Sequence, residues 1–587
     1  MNFQINYEEF DAIIIGSGGA GLMSAASCVK NNVKNIAVIS KVFPTSSHTV
    51  AAKGGINAAL GNLDEDDPKW HAFDTIKSSD YLADEDSVEY MCSNAPKAII
   101  ALEKMGVVFS RFPNGKIYQR AYGGQSKNFG KNGMAHRACS AKDNTGHAIL
   151  YSLHQKCLSA GVKFFNEFFL TDLLIADKSC YGAVTIDLNS GNITIFKAKN
   201  TIIATGGSGQ IYYNSTTANI CTGDGGGAVL RSGLQLQDME FVQFHPTGLY
   251  QKNLLITEAA RGEGGYLVNC LGERFMEKYS PQFADLASRD VVARAIATEI
   301  KENRGCGENK DHIYLKIDHL GAAAIKEKLP GLLNLVQSFA KINPVMEPIP
   351  ITPLAHYSMG GIPTNKDCEV TYFDGKKELI IGGLLAIGEA ACVSVHGANR
   401  MGCNSLLDII VFGDLSGEIV ARNLGEKKEF PNFDNLAETK IERVNIILAR
   451  DFNPNFTVEN IKLNLQKSMQ KFAGIFRNKI MLEEGLSQIK QLARDFKNVG
   501  IKNKTLFFND ELITYFEVEN LLLQALATIF KALKREESRG AHWREDFNQK
   551  NDANWQFHSL VAVDLEKIDF QFKKKPVRKT TLQIPKN

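Results

Sequence analysis

No apolar run in this sequence reaches the eighteen or so residues that a membrane span requires, so no transmembrane helix is expected. The N-terminus lacks a basic region followed by an apolar one, so no secretory signal peptide is expected either. None of the eleven cysteines stands in C-x-x-C spacing; they are scattered over positions 28, 92, 139, 157, 180, 221, 270, 306, 368, 392 and 403. They read as reduced thiols in a cytosolic setting, and no metal site or iron–sulfur cluster in the usual spacings is expected on this chain. An excess of one charge is also missing, since 67 Lys and Arg against 65 Asp and Glu leave a formal charge of +2. That balance gives no argument for nucleic acid as a partner. There is no internal repeat and no low-complexity linker. What remains is ordinary globular composition, 44% hydrophobic and 22% charged, over 587 residues. Such a chain is too long for one core, and about three to four domains are expected.

The first positive signal lies at the N-terminus. Ala12 to Ile15 is a short apolar run, followed at once by Gly16-Ser17-Gly18-Gly19-Ala20-Gly21 and an alanine-rich stretch to Val29. This is strand, glycine turn and helix in the order of a dinucleotide-binding unit. Its first glycine makes the bend, its second admits a pyrophosphate, and its third lets helix and strand pack closely. A second strand is expected over Asn35 to Ser40. The acidic residue that normally binds the ribose about twenty positions on is absent, and Ser40 and Lys41 fill its place. A plain NAD-dependent dehydrogenase is therefore disfavoured.

Further along, Pro44 to Gly55 reads Pro-Thr-Ser-Ser-His-Thr-Val-Ala-Ala-Lys-Gly-Gly. Thr201 to Gly207 is a strand running into a second glycine turn, and Thr222-Gly223-Asp224-Gly225 follows. Then come Phe244-His245-Pro246-Thr247-Gly248, Thr257-Glu258-Ala259-Ala260-Arg261-Gly262-Glu263, Ser288-Arg289-Asp290 and His356-Tyr357-Ser358-Met359. Gly388-Glu389, Asn399-Arg400 and Asn404-Ser405-Leu406-Leu407 close the series. Beyond about residue 430 the pattern turns to long amphipathic helices; Glu519 to Leu533 reads as a bundle helix. The basic tail from Lys573 to Lys579 is expected to be a solvated surface.

In this order, the motifs resemble those of the flavoprotein subunits of succinate dehydrogenase and fumarate reductase, over essentially the whole chain. The resemblance implies an α/β fold. A Rossmann-like FAD-binding domain, split over 1–245 and 356–430, would hold an inserted α+β capping domain at 246–355. A helical bundle domain at 431–540 and a small C-terminal domain at 541–587 would follow. It implies FAD bound covalently through His48 and held by Gly16, Ser17, Gly18, Gly19, Ala20, Gly21, Ser40, Lys41, Ser47, Thr49, Ala52, Lys53, Gly54, Gly55, Asp224, Glu389, Asn404, Ser405 and Leu406. It implies a dicarboxylate substrate, succinate or fumarate, bound by His245, Thr257, Glu258, His356, Arg400 and Tyr122, with proton transfer by Arg289 fed through Glu263 and Arg261. Electrons would pass to an iron–sulfur subunit on membrane anchor subunits at the cytoplasmic face of the cell membrane, and a flavinylation factor would assist assembly.

The sequence departs from the family pattern at several positions. Tyr122 stands where the family usually has Phe, Ser46 replaces a common arginine, and Ala259-Ala260 replaces Gly-Cys. Lys53 stands where succinate oxidisers commonly carry Gln and fumarate reducers Glu; it is expected either to raise the flavin potential or to point away from the flavin. Two rival readings stand beside the first: a soluble flavin oxidase or fumarate reductase, akin to L-aspartate oxidase, and a non-catalytic assembly module.

Overall fold

The computed structural model describes residues 4–425 and 433–580. Its centre is an eight-stranded sheet. Strand Ile5–Ile15 lies between Ile36–Ser40 and Ile193–Ile203, parallel to both. Lys163–Asn166 extends the sheet beyond Ile36–Ser40, and Glu378–Ala386 pairs in parallel with Ile193–Ile203. The buried run Ala12 to Ile15 is apolar because helices cover both faces of a parallel sheet. Helix Gly19–Lys30 packs along helix Asn404–Asn423. A Cβ added at Gly413 would lie 2.9 Å from Met23 Cβ, and one at Gly417 2.5 Å from Ser27 Cβ, so these glycines set how closely the helices approach. The chain thus returns to its first domain nearly four hundred residues later.

Between these visits lies a five-stranded sheet, ordered Leu254–Leu255, Val242–Leu249, Ile349–Ser358, Ile313–Lys316 and Tyr266–Val268, with helix Arg289–Lys301 packed on it. Its own apolar core includes Leu249, Leu267, Ile296, Leu315 and Ile351. The strands Val242–Leu249 and Ile349–Ser358 pair antiparallel and carry His245 and His356 to the flank of the first domain.

Helices Phe433–Ala449, Val458–Phe472, Lys479–Phe496 and Asp510–Lys534 form a bundle. The last of these is long and apolar enough to cross a membrane, but 78% of its most apolar window is buried within the protein, as in a bundle's core helix. The hairpin Phe557–Asp564 with Asp569–Pro576 joins Leu236–Gln237 in a three-stranded sheet.

The basic tail is not the solvated surface expected of it. Lys573 donates to Phe373 O, and Lys574 lies 3.6 Å from the Trp555 ring centroid. Lys575 pairs with Glu378 at 2.8 Å, Arg578 with Asp84 and Asp86, and Lys579 with Glu85. The carboxylates that engage this tail lie far away in sequence, which is why a local reading of charge missed them.

Candidate functional site

The carboxyl ends of the parallel strands open onto one cavity. Of the residues expected to hold FAD, Gly16, Ser17, Gly18, Gly19, Ala20, Ser40, Lys41, Ser47, His48, Thr49, Ala52, Lys53, Gly54, Gly55, Asp224, Glu389, Ser405 and Leu406 border it. Gly21 does not; a Cβ there would meet Gly16 O at 1.9 Å, so this glycine serves helix–strand packing. Asn404 also turns away. Its Oδ1 accepts from Asn57 Nδ2 at 2.8 Å and lies 3.0 Å from His71 Nε2, while its Nδ2 donates to Thr75. It therefore anchors the start of helix Asn404–Asn423 from behind.

The walls fit a dinucleotide. Gly16 has φ +113°, and a side chain there would strike Ala204 O at 2.2 Å. Ser17 donates to Ser40 at 2.7 Å, tying the glycine turn to the next strand end. The Ser47 hydroxyl is buried without a hydrogen-bond partner. Glu389 is half-buried with one backbone amide, Ser358 N–H, as its hydrogen-bond donor, and desolvation pushes its carboxyl up to about 7. A group rich in hydroxyl donors would satisfy it. Lys41 borders the cavity, but its ammonium is engaged by Asp224 and by Glu517 of the bundle, each at 2.8 Å. His48 accepts from Ala218 N–H through Nδ1 at 3.2 Å. Burial, then the charge of Arg400, lowers its pKa to about 4, so the imidazole is neutral near pH 7.

Beside the five-stranded sheet, positive charge accumulates. Gln243 Oε1 accepts from both Arg289 Nη1 (3.1 Å) and Arg400 Nη2 (3.0 Å), bringing two guanidinium groups to one amide. Arg400 stacks 4.4 Å over Tyr357, donates to Ser405, and keeps a buried Nε without a partner. Its pKa falls to about 10 through burial and the neighbouring Arg289. The rings of His245 and His356 lie 4.9 Å apart. Burial, reinforced by Arg289 and Arg400, holds both far below the usual histidine range. His245 Nδ1 accepts from Thr247 N–H, which assigns the ring proton to Nε2 and makes that atom a donor. Thr216 Oγ1 meets His356 Nδ1 at 2.8 Å. Thr257 is buried at the turn leading into helix Ala259–Gly262.

Two residues are placed differently from the sequence expectation. Glu258 stands behind Arg289, accepting from its Nε at 2.7 Å and approaching Arg261 Nη2 at 4.0 Å. Arg289 and Arg261 outweigh burial and hold this carboxyl below its ordinary value. An anion so placed repels a carboxylate ligand. Glu263 instead accepts from Lys328 at 2.8 Å near the surface, so the carboxylate on Arg289 is Glu258 and not Glu263. The two glutamates are five residues apart, about 140° around a helical turn, and only one can face inward. Arg261 is buried and donates to Asp285 O, while its Nε and Nη2 lack hydrogen-bond partners.

The Tyr122 ring is buried and, with Glu258 and Arg289, faces Gly402. Its hydroxyl has no hydrogen-bond partner and lies toward Gly54 and Cys403. Lys53 Nζ bonds Asn144 Oδ1 at 3.1 Å. Ser46 is exposed, and Ala259 and Ala260 are buried. The sequence reading missed Gln243; its signal is that it lies two residues before His245 on one strand, hence on the same face.

Residues 11–406 match the family model of an FAD binding domain, and residues 462–587 match that of the fumarate reductase flavoprotein C-terminus. The chain is 49% identical to a succinate dehydrogenase flavoprotein subunit of Rickettsia conorii, over 99% of this chain and 97% of that one. It is 37% identical to a fumarate reductase flavoprotein subunit of Mycobacterium tuberculosis, over 94% of each. A solved structure of an Escherichia coli quinol fumarate reductase FrdA variant superposes with a TM-score of 0.92 at 34% identity, covering 99% of both chains.

Proposed function

Because the chain belongs to the family of succinate dehydrogenase and fumarate reductase flavoprotein subunits, we propose that it oxidises succinate to fumarate at the cavity described above. The observation that carries this reading is the pair of guanidinium groups on Gln243, buried beside two neutral histidines, with Glu258 paired to Arg289 alone of the two. Such a cluster needs anionic charge at two points, which a short dicarboxylate supplies.

When bound, FAD supplies the two-electron acceptor for hydride from a C–H bond of the substrate. His48 holds it covalently, its neutral imidazole keeping the lone pair that bond formation needs. The glycine turn and Ser47 hold the phosphates, and Glu389 the ribityl hydroxyls. Arg400, His356 and the Nε2–H of His245 fix the substrate carboxylates, with Thr257 beside them. Arg289 takes the proton from the neighbouring carbon. Glu258 accepts from Arg289 Nε at 2.7 Å, and Arg261 stands 4.0 Å beyond that carboxylate. The proton therefore leaves along Arg289, Glu258 and Arg261.

Lys53 borders the cavity with its ammonium on Asn144, and a cation there would favour the oxidising direction by stabilising negative charge on a reduced flavin. The opposite direction, fumarate reduction, uses the same residues. The electrons pass to an iron–sulfur partner and membrane anchor subunits at the cytoplasmic face, and a flavinylation factor assists loading. The test is a denaturing gel of the protein made with its partner, viewed under ultraviolet light and paired with a succinate-dependent dye-reduction assay. A fluorescent band that vanishes in His48→Ser, together with succinate oxidation by the wild type, is the expected result. Fluorescence retained in His48→Ser would overturn the attachment, and no succinate oxidation by flavin-loaded protein would overturn the activity.

A further inference from the structure

Far from the flavin cavity, at the outer edge of the capping domain, two cysteines border one surface cleft together with Asn269, Arg274, Gly307 and Tyr314. Cys270 is the single exposed thiol among the described residues, and Cys306 is buried. Backbone bonds lace their segments together. Cys270 N–H donates to Arg304 O at 3.1 Å, two residues before Cys306, and Cys306 N–H donates to His312 O at 2.7 Å. The sulfur of Cys306 receives the amide of Tyr314, and Tyr314 is the register partner of Val268. Cys306 thus lies two residues along from the carbonyl that Cys270 N–H reaches, and the Cys270 thiol is near enough to act on its ionisation. A disulfide spans Cα separations of about 4.4–6.8 Å, and the backbone bond from Cys270 to Arg304 brings the two segments within reach of one.

The pair differs from the other thiols. Cys28 and Cys157 also neighbour one another, but both are buried where no oxidant reaches them. Cys270 is open to solvent, so its thiolate reacts first, while Cys306, pushed up to about 11 by burial and by its neighbour, stays protonated until a sulfur electrophile forms beside it.

We infer that Cys270 and Cys306 are a peroxide-oxidisable thiol pair that cross-links the capping domain, a modification site independent of the reading of the flavin cavity. The thiolate of Cys270 attacks the O–O bond of hydrogen peroxide, giving a sulfenic acid and releasing water after proton uptake. The Cys306 thiol then attacks that sulfur, the S–O bond breaks, and a second water leaves. In sum, two thiols and one peroxide give one disulfide and two waters, with two electrons moving from sulfur to peroxide. A dithiol reverses it.

The location gives the bond a mechanical consequence. The link encloses helix Arg289–Lys301, whose first residue carries the guanidinium at the active cavity. Asn269, beside Cys270, donates to Glu299 at 2.9 Å, and Arg304 binds the same carboxylate at 2.6 Å. The disulfide thus ties both flanks of the cleft to the last turn of that helix.

The test treats the flavin-loaded protein with graded hydrogen peroxide, blocks free thiols, and maps disulfides by mass spectrometry without reduction. The expected result is a linked pair of peptides containing Cys270 and Cys306, lighter by two hydrogens, released by dithiothreitol and absent from Cys270→Ser. In Cys306→Ser, Cys270 should instead proceed to sulfinic acid. Sulfinic acid at Cys270 of the wild type, with Cys306 recovered as a free thiol at every peroxide level, would overturn the inference. So would a link from Cys270 to any other cysteine.

Discussion

Two buried clusters of charge in this chain are built on opposite principles. Beneath the C-terminal hairpin, Lys531, Arg535 and His558 meet Glu240, Asp238 and Asp84, and each charged group has a partner of the other sign within 4 Å. At the cavity, Arg289 and Arg261 share the carboxylate of Glu258, Arg400 has only Ser405 and Gln243 as hydrogen-bond partners, and buried nitrogens of Arg400 and Arg261 have none. Burial penalises both clusters alike. The first is completed by the chain itself and joins helix Asp510–Lys534 and the C-terminal hairpin to Asp84, Asp238 and Glu240. The second has no such completion among the described residues, which is what a ligand-binding reading requires of it. What distinguishes a binding site from a structural core here is the missing counter-charge, not the presence of arginine.

The largest effect expected from breaking this contrast is catalytic. Glu258→Gln should lower kcat for succinate oxidation by roughly 10³-fold, about 4 kcal/mol, while Glu263→Gln stays within about twofold of wild type. Steady-state kinetics on the two variants decides which glutamate serves Arg289, and the reverse ranking would return the role to Glu263.

A stability effect of somewhat smaller size is expected in the paired cluster. Glu240→Ala leaves Lys531 and Arg535 buried without their carboxylate and should cost about 3–4 kcal/mol. Denaturant unfolding of the flavin-loaded protein measures it. An unchanged midpoint would mean that the paired cluster holds nothing together.

The smallest effect concerns pH. His558 lies between Asp84 (3.0 Å) and Asp238 (2.6 Å), which raise its pKa above 6.5 against the opposing effect of burial. A raised histidine stabilises fully below its unfolded value and loses that contribution as pH rises through the folded one. Stability should therefore fall above pH 6.5, by on the order of 1 kcal/mol, and His558→Gln should flatten that slope. Asp84 and Asp238, each held down to about 2, lose theirs only in strong acid, as pH falls below 3.8 toward 2. Melting temperatures across pH 6 to 9 for both proteins test the sign.

Much of this was legible in sequence where chemistry is local. The glycine turn at Gly16, the neighbourhood of His48 and the strand into Gly206 all border the cavity, because each motif is a strand end and its following turn. The reading failed where partners come from afar. Nothing near Lys575 or Lys579 announces Glu378 or Glu85, the latter 494 residues away. Gln243 escaped because its two-residue spacing from His245 gains meaning only once Arg289 and Arg400 converge on its oxygen. The choice between Glu258 and Glu263 turned on which side of one helical turn faces inward, and composition does not encode that.

The most direct test of the unpaired cluster as a dicarboxylate site is calorimetric titration of the flavin-loaded protein with malonate, a dicarboxylate that cannot be oxidised to an alkene. The account predicts one site per chain in the wild type, weakened about a hundredfold or more in Arg400→Met. Binding of equal strength in both proteins would contradict it.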